Sequence, residues 1–171
     1  MIPSGFTLRD ATEADLPAIV AIYNSTIPSR MVTADLDPVT VESRRPWLAA
    51  HQNANRPIWV IADLADTAVA WLSFDTFYPR AAYDGTAMIA IYVAPDRRGH
   101  GLGRTLLEEA LRRAPEFGLH TVVGYIFGHN KPSLQLFTRY GFERWAHLPQ
   151  VAVLDGIGRD VIIMGRRVGT P

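Results

Sequence analysis

The sequence has no cysteine. That excludes disulfide frameworks, thiolate metal sites and cysteine nucleophiles together, and it suits a reducing compartment, so a cytoplasmic location is expected. Net charge is missing too, since 17 lysines and arginines balance 17 aspartates and glutamates. Without a global basic field no nucleic-acid partner is expected, and any charge-guided chemistry must be local. Long apolar runs are also absent. The longest, residues 87–94, falls far short of the roughly 20 residues that span a bilayer, and the first ten residues have neither the basic flank nor the apolar stretch of a secretory signal. A soluble chain with no membrane partner is expected. What remains is ordinary for a folded protein: 48% of residues are apolar and 20% charged, and 171 residues suffice for one domain, 1–171, with a full core and no repeat or linker.

Patterning supplies the elements. Residues 6–9 read as a short strand, and Thr12 followed three positions later by Asp15 resembles a capping box. Leu16, Ile19, Val20, Tyr23 and Ile27 then share one helical face, ended by Pro28-Ser29. A second helix is expected over 39–53, where Pro46 costs a hydrogen bond. Strands at 58–64 and 68–74 form a hairpin around Ala65-Asp66-Thr67. An aromatic loop, 77–85, leads to the nearly continuous apolar strand 86–93, suited to a central place. A helix over 103–117 turns Leu106, Leu107, Ala110, Leu111 and Ala114 inward, with Glu108–Arg112 and Glu109–Arg113 as pairs outside. A strand at 121–127 interrupted by Gly124, a helix at 131–140, and strands at 143–154 and 160–168 around Gly156-Ile157-Gly158 complete the chain. The order β-α-α-β-β-β-α-β-α-β-β describes an α/β fold with a mixed sheet.

The most informative stretch lies between the apolar strand and the helix that follows it: Arg97-Arg98-Gly99-His100-Gly101-Leu102-Gly103-Arg104. Glycines at alternate positions let the backbone curl so that successive N–H groups share one concavity, and the helix points its positive dipole end at the same spot. Such a site takes an anion, most naturally a pyrophosphate. Arg97, Arg98, His100 and Arg104 add charge for a ligand with several phosphates. No lysine follows the glycines as a phosphate-loop NTPase requires, and the turn is not near the first strand as in a dinucleotide-binding Rossmann unit. A tight strand-to-helix connection without a ligand is the plain alternative.

Arg98-x-x-Gly101-x-Gly103 after Ile91-Tyr92-Val93 resembles the Gln/Arg-x-x-Gly-x-Gly/Ala signature of the GNAT superfamily of acyl-CoA-dependent N-acetyltransferases. The resemblance extends over nearly the whole chain and is closest to the phosphinothricin and methionine sulfoximine acetyltransferase branch. It is carried by Arg9-x-Ala11-Thr12-x-x-Asp15-Leu16, Ile22-Tyr23-Asn24, Pro57-x-Trp59-Val60, Gly128-His129-Asn130-x-Pro132-Ser133 and Gly141-Phe142. It implies a GNAT fold: a mixed, mostly antiparallel sheet of about seven strands, flanked by about four helices, with strands four and five splayed to admit the pantetheine arm of acetyl-CoA. The implied cofactor contacts are Ile91, Val93, Arg98, Gly99, His100, Gly101, Gly103, Arg104, Asn130 and Ser133. Asn130 and Ser133 also suit a helix cap, and Gly124 is either the point of divergence or an ordinary bulge. No metal is implied.

The same resemblance leaves gaps. The branch's catalytic glutamate falls, five residues before Val93, on Met88, and the proton-transfer position four before Gly141 is Phe137. Replacements are sought in Tyr92, His129 and Tyr140, each with a plain reading: core packing, a loop hydrogen bond, packing beside Gly141. Transfer through water and backbone groups is another possibility. For the acceptor, a small-molecule amine such as an amino acid or analogue, the candidates are Arg30, Phe77, Tyr78 and Arg80, with residues 29–33 as a further wall. A non-catalytic acyl-CoA-binding or sensing module is the competing function. A homodimer is implied, with the aromatic stretch 74–83 as its only visible surface.

Overall fold

The Thr12–Asp15 pair opens the helical layer. In the computed structural model, which describes residues 2–53 and 56–170, strand β1 (Thr7–Asp10) runs into a turn where the Thr12 N–H and hydroxyl donate to Asp15 Oδ2 at 2.8 and 2.9 Å. Arg9 grips the same carboxylate with two bonds of 2.7 and 2.9 Å. Burial pushes the Asp15 pKa up, but the hydrogen bonds from Arg9 and Thr12 outweigh it and hold the group below the ordinary carboxylate range. Helix α1 (Leu16–Asn24) follows, and it stops earlier than periodicity suggests. Ile27 is buried from a separate 3-10 turn, Ile27–Ser29, with Pro28 in its first turn. Helix α2 (Val41–Asn53) keeps Pro46 inside it.

Strands β2 (Ile58–Ala62) and β3 (Ala68–Thr76) form the expected hairpin. Strand β4 (Thr86–Val93), helix α3 (Leu102–Arg113), strand β5 (Thr121–Phe127), helix α4 (Lys131–Arg139) and strands β6 (Glu143–Leu154) and β7 (Ile157–Arg167) complete the α/β fold. Among the described residues, seven strands make one sheet in the order β1-β2-β3-β4-β5-β7-β6. Every neighbouring pair is antiparallel except β4 with β5.

Alternation along the strands divides the core between two faces. Trp59, Ile61, Leu72, Phe74 and Ile89 pack with Leu106, Leu107 and Ala110 of α3, and with Phe137 of α4. Val60 and Trp71 pack with Ile19, Ile22 and Tyr23 of α1, and with Leu48 of α2. Each buried valine, leucine, isoleucine or phenylalanine among them contributes about 1.5–3 kcal/mol relative to exposure. Phe74, placed at the end of the strand 68–74 but also counted in the exposed aromatic stretch 74–83, is 0% exposed: β3 runs on to Thr76, and Phe74 packs in the α3 face of the core.

The charged face of α3 also differs in detail. Arg112 pairs with Glu109 at 2.6 Å, one turn back, and Arg113 with Glu116 at 3.0 Å, while Arg113 lies 4.7 Å over the Trp59 ring. Glu108 instead accepts the Tyr140 hydroxyl at 2.5 Å. The expected partners thus give way to i,i+3 ones and, for Arg113, an aromatic platform, while the i,i+4 spacing is used by Arg104–Glu108 at 3.8 Å and Arg112–Glu116 at 4.0 Å. Among the described residues, no helix is long and apolar enough to cross a membrane.

Candidate active site

The parallel junction of β4 and β5 is short. Only Thr86–Thr121, Ala87–Val122 and Met88–Val123 are paired, so the rest of β4, from Ile89 onward, diverges from β5 with an open edge. Gly124, the first β5 residue past the junction, is no bulge, because its pairing with β7 runs on without a shift. A Cβ there would fall 2.5 Å from Phe137 Cε1. The missing side chain therefore makes room for the Phe137 ring beside the divergence.

The opened strands wall a cleft of about 520 Å³, reaching from Ile91, Tyr92 and Val93 to Arg98, Gly99, Gly101, Gly103 and Arg104, with Asn130 and Ser133 along one side. The turn before α3 has its left-handed residues at Gly99 (φ +81°) and Gly101 (φ +79°). Gly103 is already helical, and a Cβ on it would meet Val93 and Ile91 at 3.6 and 3.9 Å, ordinary contacts. The turn itself requires glycine at 99 and 101, whereas at 103 glycine only keeps the cleft floor clear. The first helical bond runs from the Thr105 N–H to the Gly101 carbonyl, so the N–H groups of Leu102, Gly103 and Arg104 have no partner within α3. Free amides at a helix N-terminus, beside arginines and an open strand edge, fit a ligand with a pyrophosphate at one end and amides along its arm. Asn130, buried, donates to the Met31 carbonyl at 3.0 Å and accepts the Ser133 N–H at 3.2 Å. It caps α4 and so fixes this wall. His100 turns away from the cleft: its Nδ1 lies 3.2 and 3.0 Å from the Arg97 and Arg98 carbonyls, which it serves as a loop brace.

On the opposite face of β4, Met88, Ala90 and Tyr92 line a second cavity of about 230 Å³ with Trp71, Ser73 and Asp75 of β3, Tyr23 of α1, and Arg44 and Trp47 of α2. Tyr92 lines this cavity as well as the cleft. Its ring stacks on Trp71 at 4.4 Å and lies 5.2 Å from Tyr23. Burial, then Tyr23 and Asp75, push the Tyr92 pKa far up, so it is a neutral phenol. Arg44 lies 4.8 Å over the Tyr23 ring and its Nη2 is 3.5 Å from Asp35 Oδ2.

Several expected site residues belong elsewhere. His129 Nε2 is 2.8 Å from the Arg30 carbonyl, an acceptor, so that nitrogen carries a proton, and the ring stacks on Phe127. Arg30 itself is bidentate to Asp155 at 2.8 and 3.0 Å. Two residues chosen for their chemistry thus lock a loop against each other. Tyr140 is committed to Glu108, and its carbonyl to Arg166. Phe77, Tyr78 and Tyr83 cluster together, with Arg80 over Tyr78 at 5.8 Å. They sit beyond the end of β4 that is still paired to β5, and none of them lines the cleft or the second cavity. Of residues 29–33, Val32 does reach the cleft wall. Sequence reasoning missed Arg44, Trp47, His51 and Asp75. A signal existed: Arg44, Trp47 and His51 recur at i, i+3 and i+7 on α2, and Ser73 and Asp75 put polar groups on the Trp71 side of a buried strand.

The cleft and the second cavity meet at Ala90 and Tyr92 of β4. Residues 19–142 match the acetyltransferase (GNAT) family. Over 162 residues, 95% of this chain and 99% of the relative, the sequence is 51% identical to the Bacillus subtilis (strain 168) protein named "Putative phosphinothricin acetyltransferase YwnH". It is 35% identical to the L-methionine sulfoximine/L-methionine sulfone acetyltransferase of Pseudomonas aeruginosa, with 92% of each chain covered. A solved GNAT superfamily phosphinothricin acetyltransferase from Sinorhizobium meliloti, in complex with acetyl-CoA, superposes with a TM-score of 0.91 at 27% identity, covering 96% of this chain and 89% of that one. With its splayed sheet, its glycine turn and these likenesses, the chain belongs to the GNAT family of acetyltransferases.

Proposed function

We propose that the enzyme transfers the acetyl group of acetyl-CoA to the amino group of a small amino acid or amino-acid analogue, of the kind represented by phosphinothricin and methionine sulfoximine. The observation that carries this reading is the composition of the second cavity. It holds one guanidinium, Arg44, and one carboxylate, Asp75, among the rings of Tyr23, Trp47, Trp71 and Tyr92. A zwitterion matches that pair, with its carboxylate to Arg44 as a charge-assisted fork and its ammonium toward Asp75. Arg44 takes the place that Arg30 and Arg80 hold in the sequence reading.

The cleft on the other face receives acetyl-CoA. The pyrophosphate lies against the free amides of residues 102–104 beside Arg98 and Arg104, and the pantetheine amides lie along the open edge of β4 at Ile91 and Val93. Holding both substrates at the Tyr92 end converts a bimolecular attack into a local one. The neutral Tyr92 phenol suits a proton donor for the departing sulfur. A binding or sensing module is the weaker reading, because the relatives bear the names of acetyltransferases.

Release of CoA thiol is the test, measured with purified protein, acetyl-CoA and a panel of amino acids, their carboxamides and simple amines. Release is expected only with acceptors that keep a free carboxylate. Preference for amines without one would overturn the acceptor assignment, and no release with any amine would overturn turnover itself. A cytoplasmic homodimer completes the proposal. The exposed Trp145, Val151, Val153 and Ile157 on β6 and β7 support a second copy there better than the 74–83 stretch, whose Phe74 is buried. A monomeric mass at micromolar concentration would remove the dimer.

A further inference from the structure

Met88 stands where the resemblance requires a carboxylate, and the strand register shows what faces it. Asp75 of β3 is the antiparallel partner of Met88, so both side chains leave the same face of the sheet, and both line the second cavity. The Asp75 carboxylate is held from three sides. Ser73 Oγ donates to Oδ2 at 2.5 Å, Trp47 Nε1 donates to Oδ1 at 3.2 Å, and His51 Nε2 lies 3.1 Å from Oδ1.

His51 is 9% exposed, and its buried Nε2 lies off the line of a hydrogen bond to Asp75, with the Phe74 main chain as a further contact of the ring. Its Nδ1 lies 2.9 Å from the Trp47 carbonyl. A carbonyl only accepts, so Nδ1 keeps its proton and Nε2 is the nitrogen at which a proton comes and goes. His51 also lines a third cavity, of about 350 Å³, with Asp10, Gln52 and Arg56, which Asp75 does not reach. The pair therefore joins the acceptor cavity to another opening of the molecule.

We propose that Asp75 and His51 form the proton relay of the acetyl transfer, Asp75 meeting the acceptor ammonium and His51 receiving its proton at Nε2. This rests on the acetyltransferase reading above. The nitrogen lone pair, freed of that proton, forms the C–N bond to the thioester carbonyl carbon. The C–S bond breaks with its electron pair going to sulfur, the Tyr92 hydroxyl gives its proton to that sulfur and regains one from the nitrogen, and amide and CoA thiol leave with one proton held on His51. Asp75 is a contact to substrate, whereas His51 acts through it.

The surroundings suit this division. Burial works to raise the Asp75 pKa, but the contacts from His51 and Ser73 outweigh it and keep the group ionised, below the ordinary carboxylate range. Burial works to lower the His51 pKa, but Asp75 and the Trp47 carbonyl outweigh it and raise it above 6.5. Asp75 alone is then a weak base, and His51 is the better proton sink. The other charged or titratable groups around the pair are Arg44 of α2, Tyr23 of α1, Asp35 of the preceding loop and Tyr92 of β4 on the Asp75 side, and Asp10, Arg56 and Arg113 in the third cavity on the His51 side.

The experiment measures kcat/KM against pH, with acetyl-CoA affinity followed separately by calorimetry. The wild-type profile is expected to fall below an acid limb lying above pH 6.5. Asp75→Asn should lose about 10²–10⁴-fold at neutral pH, recover part of it as the amine deprotonates itself, and bind acetyl-CoA as before. Asp75→Asn combined with Met88→Glu should regain at least about tenfold, because the carboxylate returns on the facing strand. His51→Gln should abolish the acid limb. Asp75→Asn retaining wild-type kcat/KM at neutral pH would overturn the relay. If Asp75→Asn fails to fold, His51→Gln decides, and an unchanged acid limb overturns it. Failure of the underlying reading looks different: the wild-type protein itself would bind no acetyl-CoA or acetylate no amine.

Discussion

The two faces of β4 are built from different materials. On the side proposed for the cofactor the groups on offer are backbone: the open edge from Ile89 onward, the amides of residues 102–104, and the left-handed Gly99 and Gly101. On the side proposed for the acceptor they are side chains brought together from α1, α2, β3 and β4: Tyr23, Arg44, Trp47, Asp75 and Tyr92. A backbone site tolerates drift in every residue except those that shape the chain. A side-chain site can be rewritten one position at a time, and Met88 and Asp75, partners in the strand register, are where the proposed relay places such a rewriting.

Substitutions test that contrast, and the largest effect is expected where the backbone has least freedom. Gly101→Val, at φ +79°, should weaken acetyl-CoA binding at least about 100-fold, since a β-branched residue resists that conformation and the amides lose their shared direction. Calorimetric titration of the folded variant measures it, and wild-type affinity would remove the turn from the site. Arg44→Ala should raise the acceptor KM about 10–100-fold, the range for a charged hydrogen bond, and leave acetyl-CoA affinity alone. A change in acetyl-CoA binding alone would blur the two faces.

Stability gives two smaller readouts. Asp15 is held below its ordinary pKa by Arg9 and Thr12, so its stabilisation is complete above the unfolded carboxylate value and is lost as pH falls through the folded one. Asp15→Asn should cost about 1–3 kcal/mol at neutral pH, and the gap to wild type should narrow in acid melts. A gap that widens instead would show that Asp15 does not carry this linkage. Gly124→Ala should cost about 1–3 kcal/mol by pushing on Phe137, and Phe137→Leu should return part of it in the same thermal melt. The smallest effect is expected for Gly103→Ala, within about threefold on acetyl-CoA binding, because its new methyl makes only ordinary contacts. Equal losses at 101 and 103 would mean that the floor, and not the turn, governs binding.

How much the sequence revealed follows the same division. The glycine turn, the β4 edge and the order of elements were legible because each is a local demand: a positive φ shows itself as glycine, and an apolar run shows itself as a buried strand. The splay and the cofactor came through the resemblance that those motifs carry. The acceptor cavity was not legible, because Asp75 reaches Met88 through strand register, and Trp47 reaches Asp75 across 28 residues of sequence. Chemistry by residue type misled at His129 and Arg30, whose polar groups meet each other and Asp155. Tyr140 is likewise taken by Glu108.

The three-pair junction between β4 and β5 has a mechanical consequence. Four strands on one side and three on the other are joined across the sheet by fewer residue pairs than any strand pair inside either half. A molecule that lays amides along residues 89–93 thus acts as an extra strand lodged in a seam. Its affinity is linked to the opening equilibrium of that seam, so amide exchange in the second half of β4 should slow on binding by more than exchange in β2, which is already enclosed on both sides.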